Sequence, residues 1–229
     1  WAIIKNQPAA FAPNTSFAYS NSNYMVLGQI LEAVRGESVI TTINDACTLL
    51  GLTDTYMPAD ETETGLREPH ADGYGGPLDD LLGQPGASVC TTFNPMWFNT
   101  YGGIISTASD LQKWAGHMRD GTLLSPTVHA QWLADLYRYP LDTTGYPGVT
   151  NTTFGYGMGT WSMGNYMGHA GGMNGWASLP YFNPSSGDTI GLCQNTGGLE
   201  PLFYLLPQIM DYLDPGSAAD YPYPWSPEH

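Results

Sequence analysis

Two short stretches, 150 residues apart, hold the groups from which an acyl-transfer site can be built. The first is Phe17-Ala18-Tyr19-Ser20-Asn21-Ser22-Asn23-Tyr24; the second is Gly168-His169-Ala170-Gly171-Gly172, followed by Asn174-Gly175-Trp176. Acyl transfer through an ester intermediate needs a base for the attacking hydroxyl, donors for the oxyanion and a platform for the substrate. A tyrosine, with an unperturbed pKa of roughly 10, becomes a base at neutral pH only where nearby cations favour the phenolate. Asparagine brings both a donor and an acceptor, and paired glycines let a substrate backbone approach with no Cβ in the way. Each piece also has a plain structural use. Tyr-x-Asn describes a tyrosine at a helix start with an asparagine completing a turn, and a histidine between glycines suits a hairpin.

The elements that would position these groups are legible in part. Leu27, Ile30, Leu31 and Val34 fall at i, i+3, i+4 and i+7, which predicts a helix from Asn21 to Gly36 with one buried stripe and places Tyr19-Ser20-Asn21 on the turn before it. A second helix is predicted from Ser38 to Leu50, ended by Gly51. Residues 58–100 are rich in Pro, Gly, Asp and Thr without periodicity and read as an irregular cleft wall. Ser109-Asp110-Leu111-Gln112 has the pattern of a capping box for a helix closing near Gly121, and Ser125-Pro126 opens another. Beyond Phe154 the character changes: Gly155 to Met163, Trp176 to Phe182 and Thr189 to Gln194 read as antiparallel strands, and Leu202 to Leu213 as a closing helix. Helices followed by a strand meander and a terminal helix imply an α+β fold. Residues 1–150 form a mainly helical lobe with the Tyr-Ser-Asn element and long cleft-lining loops; residues 151–229 carry the strands, His-Ala-Gly and the terminal helix.

Other chemistries lack their signatures. There is no Gly-x-Ser-x-Gly elbow and no His-Glu-x-x-His, and the histidines (His70, His117, His129, His169, His229) are dispersed. Gly155-Tyr156-Gly157-Met158-Gly159 lacks the spacing of a dinucleotide fingerprint and opens no helix. Neither a metal nor a cofactor is expected.

The two stretches together resemble the second and third motifs of the serine β-lactamase and DD-peptidase superfamily, in its class C β-lactamase and D-alanyl-D-alanine carboxypeptidase branch, where they read Tyr-x-Asn and His-x-Gly. Leu50-Gly51-Leu52-Thr53-Asp54-Thr55, His70-Ala71-Asp72-Gly73-Tyr74 and Gly102-Gly103-Ile104-Ile105-Ser106-Thr107 extend the resemblance in the family's order over most of the chain. It implies a β-lactamase/transpeptidase-like fold, an antiparallel sheet flanked by helices beside a mainly helical second lobe. It makes Tyr19 the base or proton relay beside a lysine, and Asn21 the partner of that lysine and of the acyl amide. His169 would lie on an edge strand facing the nucleophile, with Ala170 and Gly171 along the substrate and the Gly172 N–H as one oxyanion donor. Trp97 matches an aromatic that walls the substrate cleft; core packing is the other use of such a residue.

The resemblance breaks at the family's first motif. No Ser-x-x-Lys exists: the two lysines are Lys5 and Lys113, and Ala2 and Asp110 stand three residues before them. The nucleophile helix and the first strands of the sheet are therefore expected from an N-terminal segment of the same precursor, either cleaved and retained or simply outside this chain. The places that hold a substrate carboxylate in carboxypeptidases of the family are here Ala170 and Gly172, and the Gly155 to Met163 strand has no arginine. That leaves peptide-like amides, D-amino-acid peptides or β-lactams as substrates, with an esterase of the same fold or a non-catalytic penicillin-binding-like protein as alternatives.

Composition bounds the partners. With 21 Asp and Glu against 6 Lys and Arg, the net charge is −15, which argues against nucleic acid and against an anionic membrane surface. No apolar run spans a bilayer, and Trp1 to Asn6 has no signal-peptide pattern, so the expected secreted or periplasmic location requires a signal upstream. Cys47, Cys90 and Cys193 lack metal-ligand spacing and fit either free thiols or one disulfide with one spare. Asn14-Thr15-Ser16 and Asn151-Thr152-Thr153 are glycosylation acceptors only in a eukaryotic secretory setting.

Overall fold

The computed structural model describes residues 8–59, 66–75, 89–92, 94–135, 137–138 and 155–217. Much of the expected cleft wall at 58–100, the Asn151 triplet, the start of the chain and the proline-rich tail lie outside the described residues.

Four helices precede most of the sheet: α1 (Ser22–Arg35), α2 (Val39–Leu49), α3 (Ala108–Asp120) and α4 (Pro126–Ala134), with a 3-10 segment at Pro95–Tyr101. Their ends follow the local chemistry of the chain. Gly36 takes φ 71° and donates to the Glu32 carbonyl, a left-handed stop that a Cβ would disfavour. Ser38 accepts from the Thr41 N–H at the head of α2, and Ser125 accepts from Val128 before the proline of α4. The cap of α3 lies earlier than the capping box indicates. Extended Thr107 accepts from the Asp110 N–H at 3.2 Å, so Ser109 is already inside the helix.

The stripe on α1 does not become core. Only Gly28 of this helix is buried, and Leu27, Ile30 and Val34 are 54%, 52% and 77% exposed. Periodicity identifies an apolar face, whereas burial depends on a neighbour that lies elsewhere in sequence. The 3-10 segment covers the other side: Thr100 donates to the Tyr24 carbonyl at 2.8 Å, and a Cβ on Gly28 would come within 2.5 Å of the Thr100 methyl.

Seven strands form one antiparallel sheet: β1 (Tyr137–Arg138), β2 (Gly155–Tyr156), β3 (Trp161–Met163), β4 (Tyr166–Gly168), β5 (Gly171–Met173), β6 (Trp176–Phe182) and β7 (Thr189–Gln194). The expected strand from Gly155 to Met163 is in fact two, because Gly157 to Thr160 turn back with the Gly157 N–H on the Thr160 carbonyl. β6 and β7 run over the residues expected of them, Trp176–Phe182 and Thr189–Gln194. β4 and β5 hold a single register against β6, from Met167 opposite Phe182 to Met173 opposite Trp176. The pairing is interrupted only at His169 and Ala170. His169 still donates to the Pro180 carbonyl at 3.2 Å, but Pro180 has no N–H to return.

Helix α5 (Glu200–Leu213) lies on one face of the sheet. There Leu202, Phe203, Leu206 and Met210 pack with Met163, Tyr166, Leu179, Tyr181 and Ile190 in the largest buried cluster. On the other face Ala115 of α3 packs with Met167 and Phe182. α3 approaches β7 at backbone distance, since a Cβ on Gly191 would meet the Ala108 carbonyl and the Gln112 nitrogen. Cys47 is a buried free thiol and Cys193 an exposed one.

Candidate active site

The Tyr-Ser-Asn turn and the His-Ala-Gly strand meet. Asn21 stands at the N-cap of α1, yet its side chain caps nothing. Its Oδ1 accepts instead from the Tyr19 hydroxyl at 3.0 Å, so the helix forgoes the roughly 1 kcal/mol an asparagine cap contributes. The Tyr19 ring, 49% exposed, lies stacked 6.2 Å from His169 and edge-on at 5.6 Å to Tyr156.

His169 sits between β4 and β5, where β3 has ended: β3 pairs with β4 as far as Trp161 opposite Gly168 and no further. The strand is therefore an open edge from His169 onward among the described residues. Antiparallel pairs alternate between bonded and non-bonded, and His169 donates to Pro180, so Gly171 and Met173 bond β6 while the amides of Ala170 and Gly172 point to the open edge. The expected oxyanion donor, the Gly172 N–H, thus faces out on the same edge that His169 occupies.

Three of the expected residues have additional structural duties. Ala170 packs its methyl against the main core cluster and its carbonyl accepts from His169 Nδ1 at 2.7 Å. A Cβ on Gly172 would press on Leu199 at 3.2 Å, and one on Gly171 would meet Ser178 Oγ at 3.0 Å, so both glycines also serve packing. Trp97, on the 3-10 segment, is 74% exposed.

Tyr156 and Trp161 complete the site and were not singled out by sequence patterns. Tyr156 on β2 is 5.3 Å from Phe17 and 5.8 Å from His169; Trp161 lies 4.9 Å from His169 and stacks on Phe203 of α5. A signal for Tyr156 exists in the Gly-Tyr-Gly-Met-Gly run. Its last glycine, Gly159, takes φ 76°, and a Cβ there would lie 2.6 Å from the Tyr24 hydroxyl. The glycines fold a turn beneath the aromatic cluster.

Electrostatically the site is neutral. Burial, and then the Tyr24 phenol, push Tyr19 above its ordinary value, so it is a protonated donor to Asn21. Burial lowers His169 more than its bond to Ala170 raises it, which keeps the imidazole uncharged. The described cationic side chains are engaged elsewhere: Arg35 with Glu37, Lys113 with Asp110, Arg119 with Asp120, and Arg67 over the Tyr56 ring. No group of His, Cys, Asp and Glu among the described residues is arranged to hold a metal. Two concavities among the described residues, at α1–α2 and at the α2–Tyr56 loop, are lined by neither Tyr19 nor His169. The site is an open edge walled by rings.

A family model for beta-lactamase matches residues 1–213. The chain belongs to the beta-lactamase family. Its fold is β-lactamase/transpeptidase-like, as solved structures also show. It superimposes on a D-stereospecific amidohydrolase from Streptomyces sp. with a TM-score of 0.70 at 24% identity, over 86% of this chain and 55% of that one. For D-amino acid amidase from Ochrobactrum anthropi SV3 the TM-score is 0.65 at 22% identity, over 87% and 59% of the two chains. For the octameric penicillin-binding protein homologue from Pyrococcus abyssi it is 0.73 at 22%, over 94% and 46%. The chain therefore spans about half the length of these beta-lactamase-fold proteins. No helix among its described residues is long and apolar enough to cross a membrane.

Proposed function

We propose that this chain is part of a serine acyl hydrolase that cleaves peptide-like amides, D-amino-acid peptides or β-lactams, through an acyl-enzyme. The nucleophile comes from an upstream segment of the same precursor carrying Ser-x-x-Lys. The observation that carries the reading is the meeting of Tyr19, Asn21 and His169 at the edge to which the Gly172 N–H is directed. A phenol held at a raised pKa serves as a base only beside a cation, and a lysine of the upstream segment provides one. The serine oxygen then attacks the carbonyl carbon, its proton passing to Tyr19 while the Gly172 N–H stabilises the oxyanion. Collapse expels the amine, which takes that proton, and water hydrolyses the ester by the same route. Asn21 orients lysine and acyl amide, and exposed Trp97 walls the cleft.

Three observations support the reading: the uncovered apolar face of α1, the half-length match, and the amidase activities of the structural neighbours. The Gly155 to Met163 strand holds no arginine, which favours amides and small esters over substrates that need their carboxylate held, and small esters are the second reading on that ground. Secretion or a periplasmic location accompanies it.

The test joins this chain to its preceding residues and exposes the complete protein to a fluorophosphonate, a D-amino-acid amide, nitrocefin and p-nitrophenyl acetate. The expected result is covalent labelling upstream of Trp1 with amide or β-lactam turnover, lowered by about 10²–10⁴ in Tyr19→Phe. Ester turnover alone selects the second reading. No labelling and no turnover refute the hydrolase and leave a binding protein.

A further inference from the structure

His169 is bonded at both ring nitrogens. Nδ1 lies 2.7 Å from the Ala170 carbonyl, which can only accept, so Nδ1 carries the proton. In the neutral ring Nε2 is then a lone pair. The Tyr156 hydroxyl, 3.2 Å away, donates to it, and the Tyr24 hydroxyl stands 3.4 Å behind that of Tyr156. The titratable groups packed on the imidazole are phenols, Tyr19 and Tyr156, with the indole of Trp161; among the described residues no ion pair reaches it.

The backbone accounts for this arrangement. The Ala170 carbonyl belongs to a non-bonded pair and points to the edge, where the imidazole takes it, and the missing N–H of Pro180 interrupts the pairing at the same step. Tyr156 itself is 7% exposed and cannot swing out to another partner.

With both nitrogens occupied, the imidazole has neither a free lone pair nor a free N–H to offer a substrate. We propose that Tyr156 is a positioning residue whose hydroxyl caps the Nε2 lone pair of His169 and so holds neutral a ring whose Nδ1–H the Ala170 carbonyl already fixes. His169 thereby becomes a fixed wall for the Tyr19 ring and takes no part in proton transfer. This rests on the site assignment above but concerns how the site is held.

The test is long-range ¹H–¹⁵N NMR on histidine-labelled protein, with His169→Asn identifying the resonance. The expected wild-type pattern is a protonated Nδ1 and a bare Nε2. In Tyr156→Phe the Ala170 carbonyl still holds Nδ1–H, Nε2 loses its donor, and the His169 titration midpoint rises by about one pH unit, the equivalent of one ordinary hydrogen bond. The resonances of His117 and His129, bonded to Leu50 and Met118 carbonyls, report whether the variant is folded. A wild-type Nε2–H tautomer overturns the proposal whether or not the variant folds, as does a folded Tyr156→Phe with an unchanged midpoint. Because no turnover is involved, an inactive complete protein with a locked imidazole refutes only the hydrolase, and an active one with a mobile imidazole refutes only the lock.

Discussion

Replacing Asp110 by alanine removes the acceptor that ties the turn after α2 to the first turn of α3. The carboxylate is 1% exposed and accepts from the Asp54 N–H at 2.8 Å, the Thr55 hydroxyl at 3.0 Å and Lys113 Nζ at 2.7 Å. Thr55 keeps a second partner in Ser106, but the Asp54 N–H loses the bond that satisfied it. Lys113 is left half-exposed to water, so the cost is that of the lost charge-assisted bonds and the unsatisfied Asp54 N–H, about 1–3 kcal/mol. With a urea slope of roughly 2–3 kcal/mol per molar for a chain of this size, the midpoint followed by tryptophan fluorescence falls by about 0.5–1 M. The pH dependence separates this account from simple loss of packing. Burial alone would raise the Asp110 pKa, but Lys113, the Asp54 N–H and Thr55 more than offset it and hold the carboxyl below its ordinary value. The contribution is therefore complete above the unfolded-state value, about 4, and is lost as pH falls through the folded-state value. Wild type and Asp110→Ala should converge in acid. A midpoint drop under ~0.3 M, or a gap at pH ~3 as wide as at pH ~7, would show that the reasoning is wrong.

Two further outcomes follow from contacts on the sheet. Gly191→Ala puts a methyl against backbone atoms of α3, which no side-chain rotation relieves, so α3 must lift from β7 at a cost of about 1–3 kcal/mol, and thermal unfolding drops by roughly 4–10 °C; an unchanged melting temperature contradicts the close approach. Tyr166 is fully buried, and burial followed by the Asp188 carboxylate pushes its phenol up to about 12, so stability declines as pH rises from the unfolded-state value of about 10 towards the folded one. Tyr166→Phe, which deletes the 3.4 Å bond to Asp188, should flatten that alkaline decline in urea titrations, and an identical decline in both proteins rules out Tyr166 as its source.

Helix ends were legible because Gly36, Ser38, Gly121 and Ser125-Pro126 act on their own neighbours. β6 and β7 were legible because runs of 7 and 6 residues are bounded by Gly, Asn and Ser turn residues. The α1 stripe misled because an apolar face does not name its cover. β4 and β5 left little trace because Gly168, Gly171 and Gly172 have no side chains to alternate. The pairing of Tyr19 with Asn21 and the approach of His169 could be anticipated only from the resemblance, whereas Tyr156 is tied to Tyr24 and His169 through contacts across 132 and 13 residues that no local pattern encodes.

The Ala71–Gly75 loop reaches the tip of the β5–β6 hairpin. Gly175 donates to the Gly75 carbonyl, Tyr74 donates to Asn195 just past β7, and a Cβ on Gly73 would strike the Trp176 indole. The hairpin that presents the Gly172 amide is thus buttoned at its far end by a strap from the helical half. Fraying of that tip, the ordinary weakness of a two-residue turn, requires the strap to let go at the same moment, so the two melt as one cooperative unit. The Gly172 amide is carried on the least pliable end of the hairpin, and rigidity there comes from a segment about 100 residues earlier in the chain.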